Sequence, residues 1–144
     1  MSQGVPERLL LEGMEGSPNN ANLKGAYWMV LLVTRRFEEA ESLVREMRAE
    51  YDRRRRHLVP RLEKIGLKVH TRPVGAFYVL ADARHISHDS LALAKEILEA
   101  TGVALTPGID FGDGAEGFLR FSYANSIENI AEGMNRLEAY IKAR

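Results

Sequence analysis

Arg120 is the residue whose type and setting most clearly suggest recognition chemistry. It lies in the segment 114–124, where Leu119, Phe121 and Tyr123 alternate with a second set of residues that includes Arg120. Side chains alternate between the faces of a strand, so the arginine lies opposite the three apolar residues. A planar guanidinium can meet a carboxylate with two parallel hydrogen bonds. The pattern predicts that Arg120 binds the carboxylate of a small substrate. The alternative is an arginine on a solvated sheet face or in a structural ion pair.

Length and composition indicate one folded domain without an obvious nucleic-acid partner. The chain has 144 residues, of which 45% are hydrophobic and 28% are charged, which is enough for a hydrophobic core. Twenty basic residues balance twenty acidic ones, so we expect neither a nucleic acid nor a membrane as a partner. The four consecutive arginines Arg53-Arg54-Arg55-Arg56 point in different directions around a helix, so they form no single basic patch. We interpret them as solvent-exposed side chains rather than as a nucleic-acid site.

The absence of cysteine and of long apolar runs excludes several classes of protein. A chain without cysteine has no disulfide scaffold, no cysteine-zinc site and no thiol nucleophile, and it fits a reducing compartment. No apolar run reaches the ~18 residues of a membrane span. Residues 1–11 lack the basic start and apolar centre of a signal peptide. We therefore expect a cytoplasmic protein.

Two amino-terminal helices are predicted from apolar spacing. Residues 1–15 show no pattern to which we assign a structure. A first helix is expected near residues 21–33, after turn-forming residues that include Asn19 and Asn20. A helix of nearly thirty residues follows from Phe37 to Ile65, because apolar residues recur there at steps of three and four. Gly66 is expected to end it.

The remainder alternates short strands with helices. Four strands are expected, at Leu67–His70, at Gly75–Ala81, at Val103–Thr106 and around Arg120. Asp89 or Ser90 begins a helix that ends at Gly102, and Ser126 caps a last helix. The order predicts an α+β fold: a small, mostly antiparallel sheet of three or four strands with helices on one face, preceded by the long amphipathic helix. We divide the chain into an arm and lead-in helix, 1–36, and a domain, 37–144.

Other chemistry-bearing residues have simpler explanations. His85 and His88 are three apart, but they fall in a loop without a third ligand, so no metal site is predicted. Asp110 and Asp113 fit turn formation better than acid catalysis. For Tyr78, packing within the sheet is favoured over contact with a substrate, because an aromatic residue in a strand usually belongs to the core. Four serines lack the sequence context of a nucleophile, and two of them are better explained as helix caps: Ser87, Ser90, Ser122 and Ser126.

Three ordered motifs resemble a known enzyme family. They are Pro73-Val74-Gly75-Ala76-Phe77-Tyr78, then Gly102 to Gly108 with Phe111-Gly112, then Gly117-Phe118-Leu119-Arg120-Phe121-Ser122-Tyr123-Ala124. In this order and spacing they resemble the carboxy-terminal small domain of class I/II aminotransferases, which are pyridoxal-phosphate enzymes of fold type I related to aspartate aminotransferase. The resemblance covers roughly residues 20–144.

The resemblance implies a function for the whole protein. Such enzymes move an amino group between an amino acid and a 2-oxo acid, using pyridoxal phosphate held as an imine by a lysine. The arginine of the third motif, here Arg120, anchors the substrate's α-carboxylate, and the small domain closes against a large one. The resemblance further implies a homodimer when the enzyme is intact.

The departures from the family pattern define what we expect of this chain. The imine lysine, the aspartate that pairs with the pyridine nitrogen and the phosphate-binding residues lie in the family's large domain. None of the five lysines, Lys24, Lys64, Lys68, Lys95 and Lys142, lies in that motif. We therefore expect an isolated domain or fragment with no catalytic, cofactor-binding or metal residue of its own and no transaminase activity. The alternative is a non-enzymatic interaction or ligand-sensing module with the same fold.

Overall fold

The computed structural model describes residues 5–18 and 20–144, so residues 1–4 and Asn19 lie outside what can be reported. The chain divides into two compact units, residues 1–52 and 53–144. Its α-helices are α1 (Val5–Gly16), α2 (Ala21–Val33), α3 (Phe37–Lys64), α4 (Ser90–Thr101) and α5 (Ile127–Lys142). Its strands are β1 (Tyr78–Asp82), β2 (Thr106–Pro107) and β3 (Phe118–Ser122), and 3₁₀ helices span Gly108–Phe111 and Asp113–Ala115.

The first unit is helical. Asn20 caps α2, because its side-chain oxygen accepts hydrogen bonds from the backbone N–H groups of Asn22 and Leu23 at 3.0 and 3.3 Å. Leu31, Ala40 and Leu43 form a small buried cluster in this unit. The helix α2 is apolar on most of its faces. Leu31 lies in the buried cluster, whereas Met29 and Val33 remain exposed.

The second unit is built on a three-stranded antiparallel sheet with the order β1-β3-β2. In its register, Leu80 pairs with Arg120 on one side and Thr106 pairs with Arg120 on the other. Leu119 and Phe121 of β3 are almost fully buried, as is Tyr123 directly after it, so they lie on the core face of the sheet. The helices add buried residues to that core: Leu93 and Ile97 from α4, and Ile130, Met134 and Leu137 from α5. The α+β class and the three-stranded antiparallel sheet agree with the sequence prediction.

The predicted helix ends are confirmed in detail. The Asp89 side chain accepts a hydrogen bond from the Ala92 N–H at 2.8 Å and caps α4. Gly102 ends α4 with φ of 71°, a left-handed conformation that glycine adopts at little cost. Ser126 caps α5 through the N–H of Asn129 at 3.1 Å. Ser90 is the first residue of α4 rather than its cap.

Several strand predictions need correction. Leu67–His70 forms no strand and contributes only one isolated bridge, between Lys68 and Asp82. The strand predicted at Gly75–Ala81 begins only at Tyr78 and continues to Asp82. The strand predicted at Val103–Thr106 is reduced to Thr106–Pro107. Alternating apolar residues mark which residues face a core, but the ladder hydrogen bonds that define a strand depend on the neighbouring chain.

Two further features differ from the expectation. Residues 1–15, to which no structure was assigned, contain most of α1. The segment that contains Asp110 and Asp113, for which turns were expected, forms the two 3₁₀ helices. Among residues 5–18 and 20–144, no helix combines the length and apolar character needed to cross a membrane.

Candidate functional site

Arg120 projects from the middle strand of the sheet on the face opposite the core. Its neighbours in β3, Leu119 and Phe121, are buried on the core side. The flanking strands β1 and β2 hold the backbone of Arg120 on both sides through Leu80 and Thr106. A central strand is the most constrained place in a small sheet, so the base of this side chain is fixed.

Two aromatic rings lie against the guanidinium. The Arg120 Cζ is 5.0 Å from the centre of the Tyr78 ring and 5.4 Å from the centre of the Phe111 ring. Both distances are within the range of cation–π attraction. Tyr78 also contacts Phe77 edge-on, with ring centres 5.5 Å apart. Tyr78 therefore packs against Phe77, and it also contacts the guanidinium of Arg120.

The electrostatic setting of Arg120 is unusual for a partly buried cation. Its Nε atom is buried and has no hydrogen-bond acceptor among the described residues. In residues 5–18 and 20–144, no carboxylate forms an ion pair with it. Buried polar atoms almost always have a partner, so an N–H without one needs an explanation. This does not support the alternative of a structural ion pair.

A carboxylate on the same sheet face is engaged elsewhere. Asp82 accepts hydrogen bonds from Nε and Nη2 of Arg84 at 2.9 and 2.6 Å. The Nε2 atom of His70 lies 2.8 Å from Oδ2 of Asp82, the same oxygen that accepts from Nη2 of Arg84. Arg84 lowers the pKa of Asp82 well below its usual range, mainly through the side-chain hydrogen bonds, with His70 adding to the effect. Asp82 is therefore held as an anion by Arg84.

The loop that carries Phe111 is tied to the start of α4. The hydroxyl of Ser90, which is fully buried, accepts a hydrogen bond from the Ile109 N–H at 3.2 Å. Glu116 accepts from the N–H groups of Ser90 and Gly117 at 2.6 and 2.9 Å. These hydrogen bonds lower the pKa of the Glu116 carboxyl. Together they fix both ends of the segment 109–116.

Gly108 allows that loop to pass close to the backbone of the next strand. A Cβ atom placed on it would lie 1.8 Å from the carbonyl oxygen of Ala115 and 2.7 Å from that of Phe118. No side chain fits at such distances, so glycine is required for this approach. Gly112, with φ of 100°, makes the turn directly after Phe111.

An apolar cavity of about 370 Å³ adjoins the same face. Its lining includes Tyr78, Leu80, Phe118, Ala76 and Ala115. Leu80 is the cross-strand partner of Arg120, and Tyr78 contacts the guanidinium, so the cavity and the arginine share walls.

The remaining candidates are not brought together. His85 and His88 are exposed, and no cluster of potential metal ligands occurs in the part of the chain that the structure describes. Asp110 and Asp113 are exposed residues of the 3₁₀ helices.

The lysines do not form a cofactor site either. Lys24 pairs with Glu46 at 3.6 Å, while Lys64 and Lys142 pair with Glu138 at 3.6 and 2.7 Å. Lys68 and Lys95 are exposed, and no lysine lines the cavity beside Arg120. An imine to pyridoxal phosphate needs a lysine amine directed into a pocket, so the residues described here do not fit that cofactor.

Comparison with known proteins now places the chain in a family. The sequence profile of the aminotransferase class I and II family matches residues 26–137. The chain belongs to this family. It is 42% identical to an aspartate/prephenate aminotransferase of Thermus thermophilus, over 77% of the chain and 28% of that protein. It is 39% identical to a (5-formylfuran-3-yl)methyl phosphate transaminase of Methanocaldococcus jannaschii, over 72% of the chain and 27% of that protein.

Solved aminotransferase structures agree in fold. The structure of an aromatic aminotransferase from Pyrococcus horikoshii superposes with a TM-score of 0.71 at 39% identity, covering 74% of this chain and 28% of that one. The chain thus spans little more than a quarter of the length of these aminotransferases. Arg120, Tyr78 and Phe111 all lie inside the region matched by the family profile.

Sequence reasoning found the arginine of this aminotransferase segment but missed its surroundings. The alternation in β3 indicated the face of Arg120. The contact with Tyr78 could have been found from the same alternation, because both residues lie on one face of neighbouring strands. The contact between Phe111 and Arg120 could not be predicted from the sequence in this way, because the position of Phe111 depends on the turns around Gly108 and Gly112.

Proposed function

We propose that this chain is the part of a class I/II aminotransferase that binds the α-carboxylate of the substrate, and that Arg120 is the binding residue. The observation that carries the proposal is the state of the guanidinium. It is held between neighbouring strands and against two rings, yet its Nε has no acceptor and its charge has no carboxylate partner among the described residues.

A carboxylate ligand would satisfy these unused groups. Two parallel hydrogen bonds from a guanidinium to a carboxylate are charge-assisted, and hydrogen bonds of this kind contribute about 1.5–3 kcal/mol. The apolar cavity next to the guanidinium lowers the local dielectric constant, which strengthens the attraction. Fixing the carboxylate would also fix the Cα of the substrate, which is the atom at which transamination occurs.

Two of the relatives are named for substrates that carry a carboxylate, whereas a third is named for an aldehyde phosphate that has none. One is named for aspartate and prephenate and another for aromatic amino acids. These substrates differ in their side chains, but each has a carboxylate next to the reacting centre. We therefore assign Arg120 to the common part of the substrate, a 2-amino or 2-oxo acid, and name no specific amino acid.

We further propose that amino-group transfer requires another part of the enzyme. The described residues do not fit pyridoxal phosphate, and the chain spans about a quarter of its relatives. In this proposal the large domain supplies the cofactor site and the intact enzyme is a homodimer. The 144-residue chain alone is inactive as a transaminase.

The proposal is tested by ligand binding and by activity. The chain, labelled with ¹⁵N, is titrated with pyruvate at constant ionic strength while the backbone amide signals of β3, which Arg120→Lys also retains, are followed. We expect a saturable shift, which Arg120→Lys abolishes because lysine keeps the charge but loses the paired donors. Arg136→Lys, at an exposed position on α5, is the matched control and should leave the titration unchanged. Equal binding by Arg120→Lys would contradict the role assigned to Arg120.

An activity measurement tests the second part. The chain is incubated with pyridoxal phosphate, an amino acid and a 2-oxo acid, and product amino acid is measured. No turnover is expected. Turnover, or a stoichiometric imine absorbance near 400 nm that is lost on replacing one lysine, would show that the chain holds the cofactor itself.

A further inference from the structure

The way in which Arg120 is held differs from the usual way of holding a buried cation. An arginine in a folded protein is commonly paired with a carboxylate, as the exposed Arg84 is paired with Asp82. Arg120 is instead in contact with the rings of Tyr78 and Phe111, at 5.0 and 5.4 Å from its Cζ. The second unit thus contains one arginine that is paired with a carboxylate and one that is held by aromatic rings. The two arrangements differ in whether the guanidinium can still bind an anion.

The two arrangements differ in what they leave available. A carboxylate uses N–H donors of the guanidinium and neutralises its charge. An aromatic ring attracts the cation through the negative potential of its face and takes up no N–H donor in this geometry. An arginine held by rings is therefore positioned but remains positive, with its donors free for a ligand.

The topology brings the two rings to Arg120 from opposite sides. Tyr78 belongs to β1 and Phe111 follows β2, and these two strands flank β3 in the sheet. Each ring has its own support. Phe77 contacts Tyr78, and the hydrogen bond from Ile109 to Ser90 anchors the turn that carries Phe111. The rings are thus held independently of Arg120 and can act on it.

We propose that Tyr78 and Phe111 are positioning residues that hold the Arg120 guanidinium for its carboxylate ligand without using its donors. The ligand rests on the function proposed above, whereas the positioning itself does not. Phe111 is 46% exposed, so its contact with the arginine is not explained by burial in a core. An exposed aromatic ring kept against an unpaired cation is consistent with a role at a binding site.

The first test needs no ligand. A cation over a ring face experiences a ring-current shift, and its restricted motion slows exchange of the Nε–H proton. We expect an upfield-shifted, slowly exchanging Arg120 signal in the unaltered chain and in Tyr78→Phe, which keeps the ring. In Tyr78→Leu and in Phe111→Leu the shift should shrink. Tyr140→Leu, which removes a ring 5.9 Å from the Cζ of Arg144, is the matched control and should leave Arg120 unchanged.

The second test measures affinity. For pyruvate, we expect the dissociation constant of Tyr78→Leu and of Phe111→Leu to rise about threefold, from the usual strength of a partly exposed cation–π contact. Tyr78→Phe should keep the affinity of the unaltered chain, because it keeps the ring that contacts Arg120. Amide spectra of β3 verify that each variant is folded.

The outcomes separate the two proposals. If the unaltered chain does not bind pyruvate, the carboxylate function fails, while the ring-current shift still decides whether the rings position the arginine. If the leucine variants keep both the Arg120 signal and the affinity of the unaltered chain, the positioning role is overturned.

Discussion

Replacing Gly108 by alanine should destabilise the second unit strongly, because the added methyl group meets backbone rather than a movable side chain. Its Cβ would lie 1.8 Å from the Ala115 oxygen, 2.7 Å from the Phe118 oxygen and 2.9 Å from the Ala115 carbonyl carbon. Overpacking usually costs about 1–3 kcal/mol, and here a rotamer change relieves none of the three contacts, because all are with backbone atoms. We expect a loss of about 3 kcal/mol in the free energy of unfolding, or about 10 °C or more in Tm.

The measurement must report on the second unit alone. The single tryptophan, Trp28, lies in the first unit, so its fluorescence would not follow this change. Urea titration followed through the amide NMR signals of β3 gives the free energy directly. Gly114→Ala is the matched control: its Cβ has no neighbour within 4 Å, and the change should be within about 0.5 kcal/mol. Equal midpoints for the two variants would refute the close approach at Gly108.

Three further changes test the contacts that support the site. Asp82→Asn should lower stability by about 2 kcal/mol at pH 7, since Arg84 loses its carboxylate. Because the folded-state pKa of Asp82 lies below its usual 3.8, the stabilisation is present above that pH and lost below it. Urea midpoints of the two proteins should therefore converge as the pH falls below about 4. Gly117→Ala should raise unfolding rates, because φ is 78° and the Cβ would lie 2.3 Å from the Arg84 side chain. Ser90→Ala should cost about 1–2 kcal/mol in thermal unfolding by removing the acceptor of the Ile109 N–H.

Much of the second unit could be predicted from local sequence signals. Asp89, Gly102 and Ser126 each form the cap that their residue type favours, because a cap depends on a few neighbouring backbone groups. The alternation through Leu119 and Phe121 gave the faces of β3 correctly, since the pleat of a strand is a local property.

The strand lengths could not be predicted in the same way. Val103 and Leu105 have the composition of a strand, yet the ladder reaches only Thr106 and Pro107. Leu67 is fully buried although it belongs to no strand. Burial and ladder hydrogen bonding are separate requirements, and only burial leaves a clear trace in the sequence. The helix α1 was missed although its less exposed apolar residues, Leu10, Leu11 and Met14, stand at helical spacing.

The sheet face on which Arg120 lies was predictable from the sequence, whereas the contacts of its side chain were not, and its binding role stays a prediction. Arg120 was identified from its type, its strand and its motif. Its contacts with Phe111 arise from the turns after Pro107, where Gly108 approaches the backbone near Ala115. Such an approach depends on positions distant in the fold, so no local pattern reports it.

The arrangement of charges on this sheet face explains how Arg120 can remain available. Along the described strands, Asp82 is the acidic residue on the face of Arg120, because it alternates in step with Leu80, the partner of Arg120. Diagonal neighbours in an antiparallel sheet are about 7–8 Å apart, within reach of a long side chain. If Asp82 were free, it could neutralise Arg120 and occupy the donors that a substrate carboxylate needs. Arg84 binds Asp82 from the same strand end, with two side-chain hydrogen bonds of 2.9 and 2.6 Å. The ion pair of Arg84 and the aromatic contacts of Arg120 are therefore complementary: the first keeps the competing carboxylate occupied, and the second holds the cation in place without discharging it.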